Sequence, residues 1–154
     1  MYFPQVLMAF ATTAAAIDIT FYSGRGCGGI AVKCPRVNPD ICCTVNFPTS
    51  FNSIGWNYVP TNWHIEARGY DQRPCVNQRL RSSIQGRDNA CYDQGGWSWQ
   101  GANYGFVNKK RALISQGGKT AQDSPCEQAS VLTLSDGADY NISGLAEEPL
   151  TELV

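Results

Sequence analysis

His64 is the only histidine of this sequence, and a carboxylate, Glu66, follows it two residues later. In a β-strand, residues i and i+2 point to the same face, so this pair has the types and spacing of a general acid–base couple. A small secreted hydrolase or ribonuclease is the enzyme class that the pair would suit. The structural alternative is a partly buried strand histidine whose ring is satisfied. One histidine is too few for ribonucleases that use two, and no G-x-S-x-G motif is present. We therefore predict a protein that is not an enzyme and has no cofactor.

Three aromatic residues in "GGWSWQGANYG" are the candidate binding residues: Trp97, Trp99 and Tyr104. Trp97 and Trp99 alternate, so in a strand both rings would lie on one face, with Tyr104 nearby. Exposed rings in that arrangement would stack on sugar rings, which favours a carbohydrate- or cell-wall-binding protein. The competing interpretation places these rings in the core, because tryptophans are highly buried on average.

The sequence contains seven cysteines, an odd number, and their spacing favours disulfides over zinc. Zinc sites use paired ligands two to four residues apart, whereas the closest pair here, Cys42 and Cys43, is adjacent. Adjacent residues of a strand point to opposite faces, so these two should bond to different partners. We predict a disulfide framework typical of an oxidising compartment, with no metal site. The disulfide candidates are Cys27, Cys34, Cys42, Cys43, Cys75, Cys91 and Cys126.

The first sixteen residues carry no charged side chain and end in small residues. This pattern predicts a cleaved signal peptide over residues 1–16 and a secreted, extracellular protein. The alternative is an apolar N-terminal strand or helix of the fold. The domain is predicted over 17–135, and an acidic C-terminal tail with five acids and no base over 136–154. The arginines of the domain are dispersed, so no nucleic-acid partner is predicted.

Short β-rich runs separated by Gly, Pro, Asn and Asp fill the domain: "IDITFY", "GIAVKC", "ICCTVNF", "SIGWNYV", "WHIEARGY", "ANYGFV" and "SVLTL". Their spacing predicts a single all-β sandwich. "QRLRSSI" reads as a helical turn or a loop. Asn141 begins the sequon Asn-Ile-Ser, which makes it a candidate glycosylation site on a solvent-facing surface.

The stretch "ITFYSGRGCGG" resembles the opening of a βγ-crystallin Greek key. That motif places an aromatic residue, a second aromatic five residues later and a glycine seven residues after the first, and a serine about thirty residues on that ties the hairpin down. Tyr22, Gly29 and Ser53 occupy three of these positions. Cys27 stands where the second aromatic residue would be, so a disulfide there would clamp the corner instead.

The resemblance implies a disulfide-stapled, Greek-key β-sandwich with βγ-crystallin-like organisation. Small secreted microbial and fungal members of that group are described as toxins, inhibitors or effectors. The implied function is a secreted, cysteine-rich binding protein that acts on a host or competitor target: an extracellular protein, a glycan or a membrane. The calcium-binding members carry two leading Asn/Asp residues that this sequence lacks before Ser53, so no calcium is predicted.

Overall fold

The described residues of the computed structural model, 16–47, 49–107 and 125–144, form eleven β-strands in two sheets. The prediction of an all-β fold built from two sheets and held by disulfides is therefore confirmed. The strands are β1 (Ile17–Tyr22), β2 (Ala31–Val37), β3 (Cys42–Thr44), β4 (Ser53–Asn57), β5 (His64–Gln72), β6 (Val76–Gln85), β7 (Asn89–Asp93), β8 (Gly101–Phe106), β9 (Cys126–Gln128), β10 (Val131–Thr133) and β11 (Asp139–Asn141).

Strand order reveals a repeated four-strand unit. The six-stranded sheet runs β11-β10-β2-β1-β4-β7, and the five-stranded sheet runs β6-β5-β8-β3-β9. In the first unit, β4 lies beside β1 and β1 beside β2, while β3 crosses to the other sheet. In the second unit, β8 lies beside β5 and β5 beside β6, while β7 crosses to the first sheet. Each sheet therefore contains three strands of one unit and the third strand of the other.

The core lies between the two sheets. Alternate residues of β1 (Ile17, Ile19 and Phe21) are fully buried and share one cluster with Ile65 and Ala67 of β5. Because strand side chains alternate between faces, the period-2 pattern in "IDITFY" directs one row of side chains inward. The opposite faces of both sheets carry polar side chains, and these faces hold the candidate sites.

The interpretation of "QRLRSSI" as a helical turn or loop is wrong. These residues belong to β6, a ten-residue strand paired antiparallel with β5 from Gln72–Val76 to His64–Gln85. β6 is the edge of its sheet, and most of its side chains are exposed. An edge strand has a single neighbour and little buried surface, so it does not need alternating apolar residues. For this reason the sequence of β6 shows no strand pattern.

The fold also continues past residue 135, into the first residues of the segment predicted as the acidic tail over 136–154. β11 pairs with β10 inside the nominal tail, and Ile142 is buried in the core. One acid of this segment, Asp139, accepts a hydrogen bond from Lys33 at 2.7 Å and so contributes to the fold. The predicted signal peptide and residues 108–124 and 145–154 lie outside the described residues, apart from Ala16.

Six of the seven cysteines form three disulfides: Cys27–Cys91, Cys34–Cys43 and Cys42–Cys75. The adjacent cysteines bond to different partners on opposite faces of β3, as predicted. The seventh, Cys126, is exposed on β9 and lies opposite Cys42 in the parallel β3–β9 pair. Across the described ranges, no helix is both long and apolar enough to cross a membrane.

Candidate functional site

The opening glycine-rich stretch folds back over the end of β1. Ser53 is fully buried; its hydroxyl donates a hydrogen bond to the Gly24 carbonyl at 2.6 Å and accepts one from the Cys27 amide at 2.9 Å. Gly29 has φ +85°, a backbone conformation that glycine adopts without strain. The Cys27–Cys91 disulfide joins this corner to β7. This corner thus contains Tyr22, Gly29 and Ser53, and the disulfide attaches it to the second four-strand unit.

A second corner, missed in the sequence, lies between β5 and β6. Tyr70, Cys75 and Asn77 repeat the spacing of Tyr22, Cys27 and Gly29. Cys75 and Asn77 have φ +55° and +60°. Cys75 is bonded to Cys42 in β3, the third strand of the first unit. The sequence pattern that could have predicted this corner is a tyrosine, a cysteine five residues after it and an asparagine seven residues after it. The asparagine can take the place of glycine because it tolerates positive φ.

The predicted aromatic platform is not presented to solvent. Trp99 is 1% exposed and Tyr104 is fully buried, so both belong to the core. The Tyr104 hydroxyl donates a hydrogen bond to the Val37 carbonyl at 2.7 Å. Trp97 is half-buried and meets Trp99 edge to face at 84°, so the two rings are not coplanar. Residues 97–100 are not in a strand, which removes the alternation on which the platform depended.

His64 and Glu66 lie on the outer face of the five-stranded sheet, where each takes a different partner. His64 Nε2 is 2.7 Å from Ser83 Oγ. Glu66 accepts hydrogen bonds from Arg68 Nε at 2.8 Å and from Arg81 Nε at 2.7 Å, one on each carboxylate oxygen. Burial raises the pKa of Glu66, but the hydrogen bonds and charges of Arg68 and Arg81 outweigh it and leave that pKa below its usual value. Such a carboxylate is a poor proton acceptor.

We expect Glu66→Gln to lower the free energy of unfolding at pH 7 by roughly 1–2 kcal/mol. The amide keeps one acceptor oxygen, so one of the two hydrogen bonds is lost, the other loses its charged acceptor, and the carboxylate shared by Arg68 and Arg81 is removed. The pKa of Glu66 is lowered in the folded state, so its contribution is present above the unfolded pKa and is lost as pH falls through the folded pKa. Urea unfolding of both proteins at neutral and acidic pH measures this. A difference that persists unchanged at low pH would contradict the assignment.

A groove of about 300 Å³ crosses the outer face of the other, six-stranded sheet. It spans several strands, from the segment before β7 to β10, and the aromatic rings of Tyr22 and Tyr58 border it. The polar side chains in its lining, besides the two tyrosines, are Asp18, Thr20, Lys33, Asn57, Asp88, Asn89 and Thr133.

Asn57 connects the polar groups in the middle of the groove. Its Nδ2 donates to Thr20 Oγ1 at 3.1 Å and, more weakly, to the Tyr22 hydroxyl at 3.5 Å. Asp18, opposite Asn57 in the β1–β4 pair, accepts a hydrogen bond from the Arg36 amide on one carboxylate oxygen at 2.9 Å. These contacts orient the groups and leave Asn57 Oδ1, the other Asp18 oxygen and the Thr20 proton without a partner within the described residues.

Tyr58, which directly follows β4, is held in a strained conformation. Its φ is +61°, and its side chain is 73% exposed. Asn57 pairs with Asn89 before it, and the Val59 amide donates to the Asp88 carbonyl at 2.8 Å after it. The backbone on both sides is therefore fixed along β7, and Tyr58 bulges outward between the two anchors. A bulky residue in the left-handed region is an outlier, and such strain concentrates at functional sites.

The candidate glycosylation site, Asn141, is exposed on the edge strand β11, and its Oδ1 accepts a hydrogen bond from the Ser143 amide at 2.8 Å. Within the part of the chain that the structure describes, no three His, Cys, Asp or Glu side chains are grouped closely enough to hold a metal ion.

The family model ARB_05566_N, described as an N-terminal domain, matches residues 18–130 of the chain. This span runs from within β1 to beyond β9 and includes both corners. No curated protein and no solved structure matches the chain.

Proposed function

The chain belongs to the ARB_05566_N family, and for this member we propose an extracellular, non-enzymatic binding function whose ligand site is the groove on the six-stranded sheet. Three disulfides support the extracellular location, because such bonds persist in oxidising compartments. The groove supports the binding function, because ligand sites are concave and carry a few placed polar groups.

The observation that carries this proposal is Tyr58. A non-glycine residue in the left-handed region costs about 1–2 kcal/mol, and the fold gains little from this side chain, which is 73% exposed. Glycine would serve the backbone at this position without that cost. A strained and exposed ring at the edge of a polar groove is therefore better explained by contact with a ligand than by folding.

The two outer sheet faces support the same conclusion by contrast. Asp18 and Tyr22 of β1 have counterparts in Glu66 and Tyr70 of β5, at matching positions in the two units. On the five-stranded sheet the counterpart face is filled by its own charges: Arg68 bonds Glu66 and also Asp40, and Gly105 lies beneath them. On the six-stranded sheet, Asn57 replaces that glycine and a groove stays open. The polar groups of the five-stranded sheet's outer face bond to one another, whereas those of the six-stranded sheet retain atoms that can bond to a partner.

We further propose that each four-strand unit is a Greek key and that the domain is βγ-crystallin-like. In a Greek key the fourth strand returns to lie beside the first, as β4 does beside β1 and β8 beside β5. The two corners, each with a tyrosine and a bridged cysteine, support this organisation. An effector- or toxin-like role on the surface of a host or competitor cell follows from that resemblance. The disulfides would preserve such a protein outside the cell.

Binding of the purified, oxidised chain to intact fungal, plant and animal cells tests the proposal. We expect saturable binding of the fluorescently labelled protein to at least one cell type. Tyr58→Gly should reduce this binding at least tenfold, because the ring is lost, while the urea unfolding midpoint stays equal or rises, because the strain is relieved. Flow cytometry and urea titration measure the two effects.

Tyr140 provides the matched control, since it is the other large exposed hydrophobic residue among the described residues, at 52%, and lies on β11. Tyr140→Gly should leave binding unchanged. The proposal fails if no cell type binds the protein saturably, or if both tyrosine variants lose binding equally.

A further inference from the structure

We infer that the groove binds an uncharged, hydroxyl-rich oligosaccharide. This inference rests on the proposed binding function and adds the chemical class of the ligand. It also moves the proposed carbohydrate site away from Trp97, Trp99 and Tyr104, of which Trp99 and Tyr104 are buried and Trp97 is half-buried, to the six-stranded sheet.

Charge in the groove disfavours anionic ligands. Lys33 contributes an ammonium group to the lining, but this charge is already paired with Asp139, which accepts its hydrogen bond at 2.7 Å. Asp18 and Asp88 add two carboxylates to the same lining. A phosphate, a nucleic acid or a uronate would thus meet a surface whose net charge is neutral to negative. Charge attraction would therefore not favour the binding of these anions.

The polar groups match sugar hydroxyls instead. A hydroxyl is both donor and acceptor, and carboxylates and side-chain amides offer paired atoms for it. Asp18 retains one carboxylate oxygen for a donor, Asn57 retains its Oδ1, and Thr20 retains its proton, none of them used within the described ranges. A row of acceptors and donors on a sheet face, each already oriented by one internal contact, fits the alternating hydroxyls of a sugar chain.

Tyr58 supplies the apolar surface that a sugar ring requires. The face of an aromatic ring is electron-rich, so it attracts the C–H bonds on the apolar face of a pyranose. Tyr58 is exposed enough to offer that face, and the anchors on both sides of its backbone limit its movement. A ring that is fixed before binding loses less entropy on binding.

A peptide fits this groove less well. Extended peptides gain affinity by pairing with the backbone of a sheet edge. The middle of the groove lies over β2, β1 and β4, each already paired on both sides, and it meets a sheet edge only at Asn89 of β7. A lipid or amphipathic helix needs a continuous apolar face, whereas this lining is rich in carboxylate, amide and hydroxyl groups.

Isothermal titration calorimetry of the purified, oxidised chain with soluble hexasaccharides tests the inference. The neutral probes are cello-, laminari-, manno- and chitohexaose, and hexagalacturonate is the anionic probe. We expect at least one neutral probe to bind with 1:1 stoichiometry and the anionic probe to bind at least tenfold more weakly. Tyr58→Ala and Asn57→Ala should each weaken neutral binding at least tenfold, whereas Tyr140→Ala leaves it unchanged. Circular dichroism confirms that each variant is folded.

Binding that is insensitive to Tyr58 and Asn57, or stronger for the anionic probe, overturns the inference. If no saccharide binds while the protein still binds cells through Tyr58, the oligosaccharide assignment is wrong and the binding function stands. If neither cells nor saccharides are bound, both proposals fall. Chain lengths of the probes after incubation add a separate readout, since shortened products would contradict a non-enzymatic function.

Discussion

Replacing Cys27 and Cys91 together with alanine is expected to lower the free energy of unfolding by about 3 to 4 kcal/mol. The bridge joins positions 64 residues apart. The Cys34–Cys43 and Cys42–Cys75 bridges lie inside that span and together shorten the connecting path to about 25 residues, which gives this magnitude in the chain-entropy account. Cys91 is exposed, so little core packing is lost. Urea unfolding without reductant measures the change, and the slope m should rise because the denatured chain expands.

The pair Cys42→Ala and Cys75→Ala is the matched control. Its removal opens a loop of similar length, but Cys42 and Cys75 are 0% and 1% exposed, so this pair of substitutions also loses buried packing. We expect this second pair to be the more destabilising of the two. A loss below about 1 kcal/mol for Cys27 and Cys91, with m unchanged, would show that the corner bridge does not constrain the unfolded chain.

The strands that the sequence revealed are those buried between two neighbours. Each of the seven β-rich runs contains one of the inner strands. The four strands that it concealed, β6, β7, β9 and β11, are the four edges of the two sheets. An inner strand must bury one face and pair on both sides, which imposes apolar alternation on its residues. The position of an edge strand is fixed largely by pairing with its one neighbour, so its own sequence shows little of the alternating pattern that predicts a strand.

The groove could not be predicted for a different reason. Asp18, Asn57 and Asn89 are neighbours through the pairing of β1, β4 and β7, and no local motif links them. The strain at Tyr58 arises from two anchors, Asn89 at the start of β7 and Asp88 directly before it, about thirty residues later in the chain. By contrast, the corner at Tyr22 is local apart from Ser53, and its fixed spacing made it visible.

Trp99→Ala is expected to lower the free energy of unfolding by about 4 kcal/mol, since truncating a buried tryptophan typically costs 3–5 kcal/mol. Trp99 is 1% exposed, its amide donates to the Phe51 carbonyl at 3.1 Å, and its ring lies directly on Gly69. A Cβ at Gly69 would come within 2.7 Å of that ring, so β5 and the tryptophan fit each other closely and the cavity cannot collapse easily. Urea unfolding followed by circular dichroism measures the loss.

Trp97 and a conservative change at Trp99 provide the controls. Trp97 is half-buried beneath Arg79, whose guanidinium carbon is 5.3 Å from the ring, so Trp97→Ala should cost about 1–2 kcal/mol. Trp99 Nε1 is buried without a hydrogen-bond partner among the described residues. Trp99→Phe therefore removes an unsatisfied donor along with some volume, and should cost less than about 2 kcal/mol. Equal losses for Trp97→Ala and Trp99→Ala would contradict the placement of Trp99 in the core and restore the aromatic platform as a candidate site.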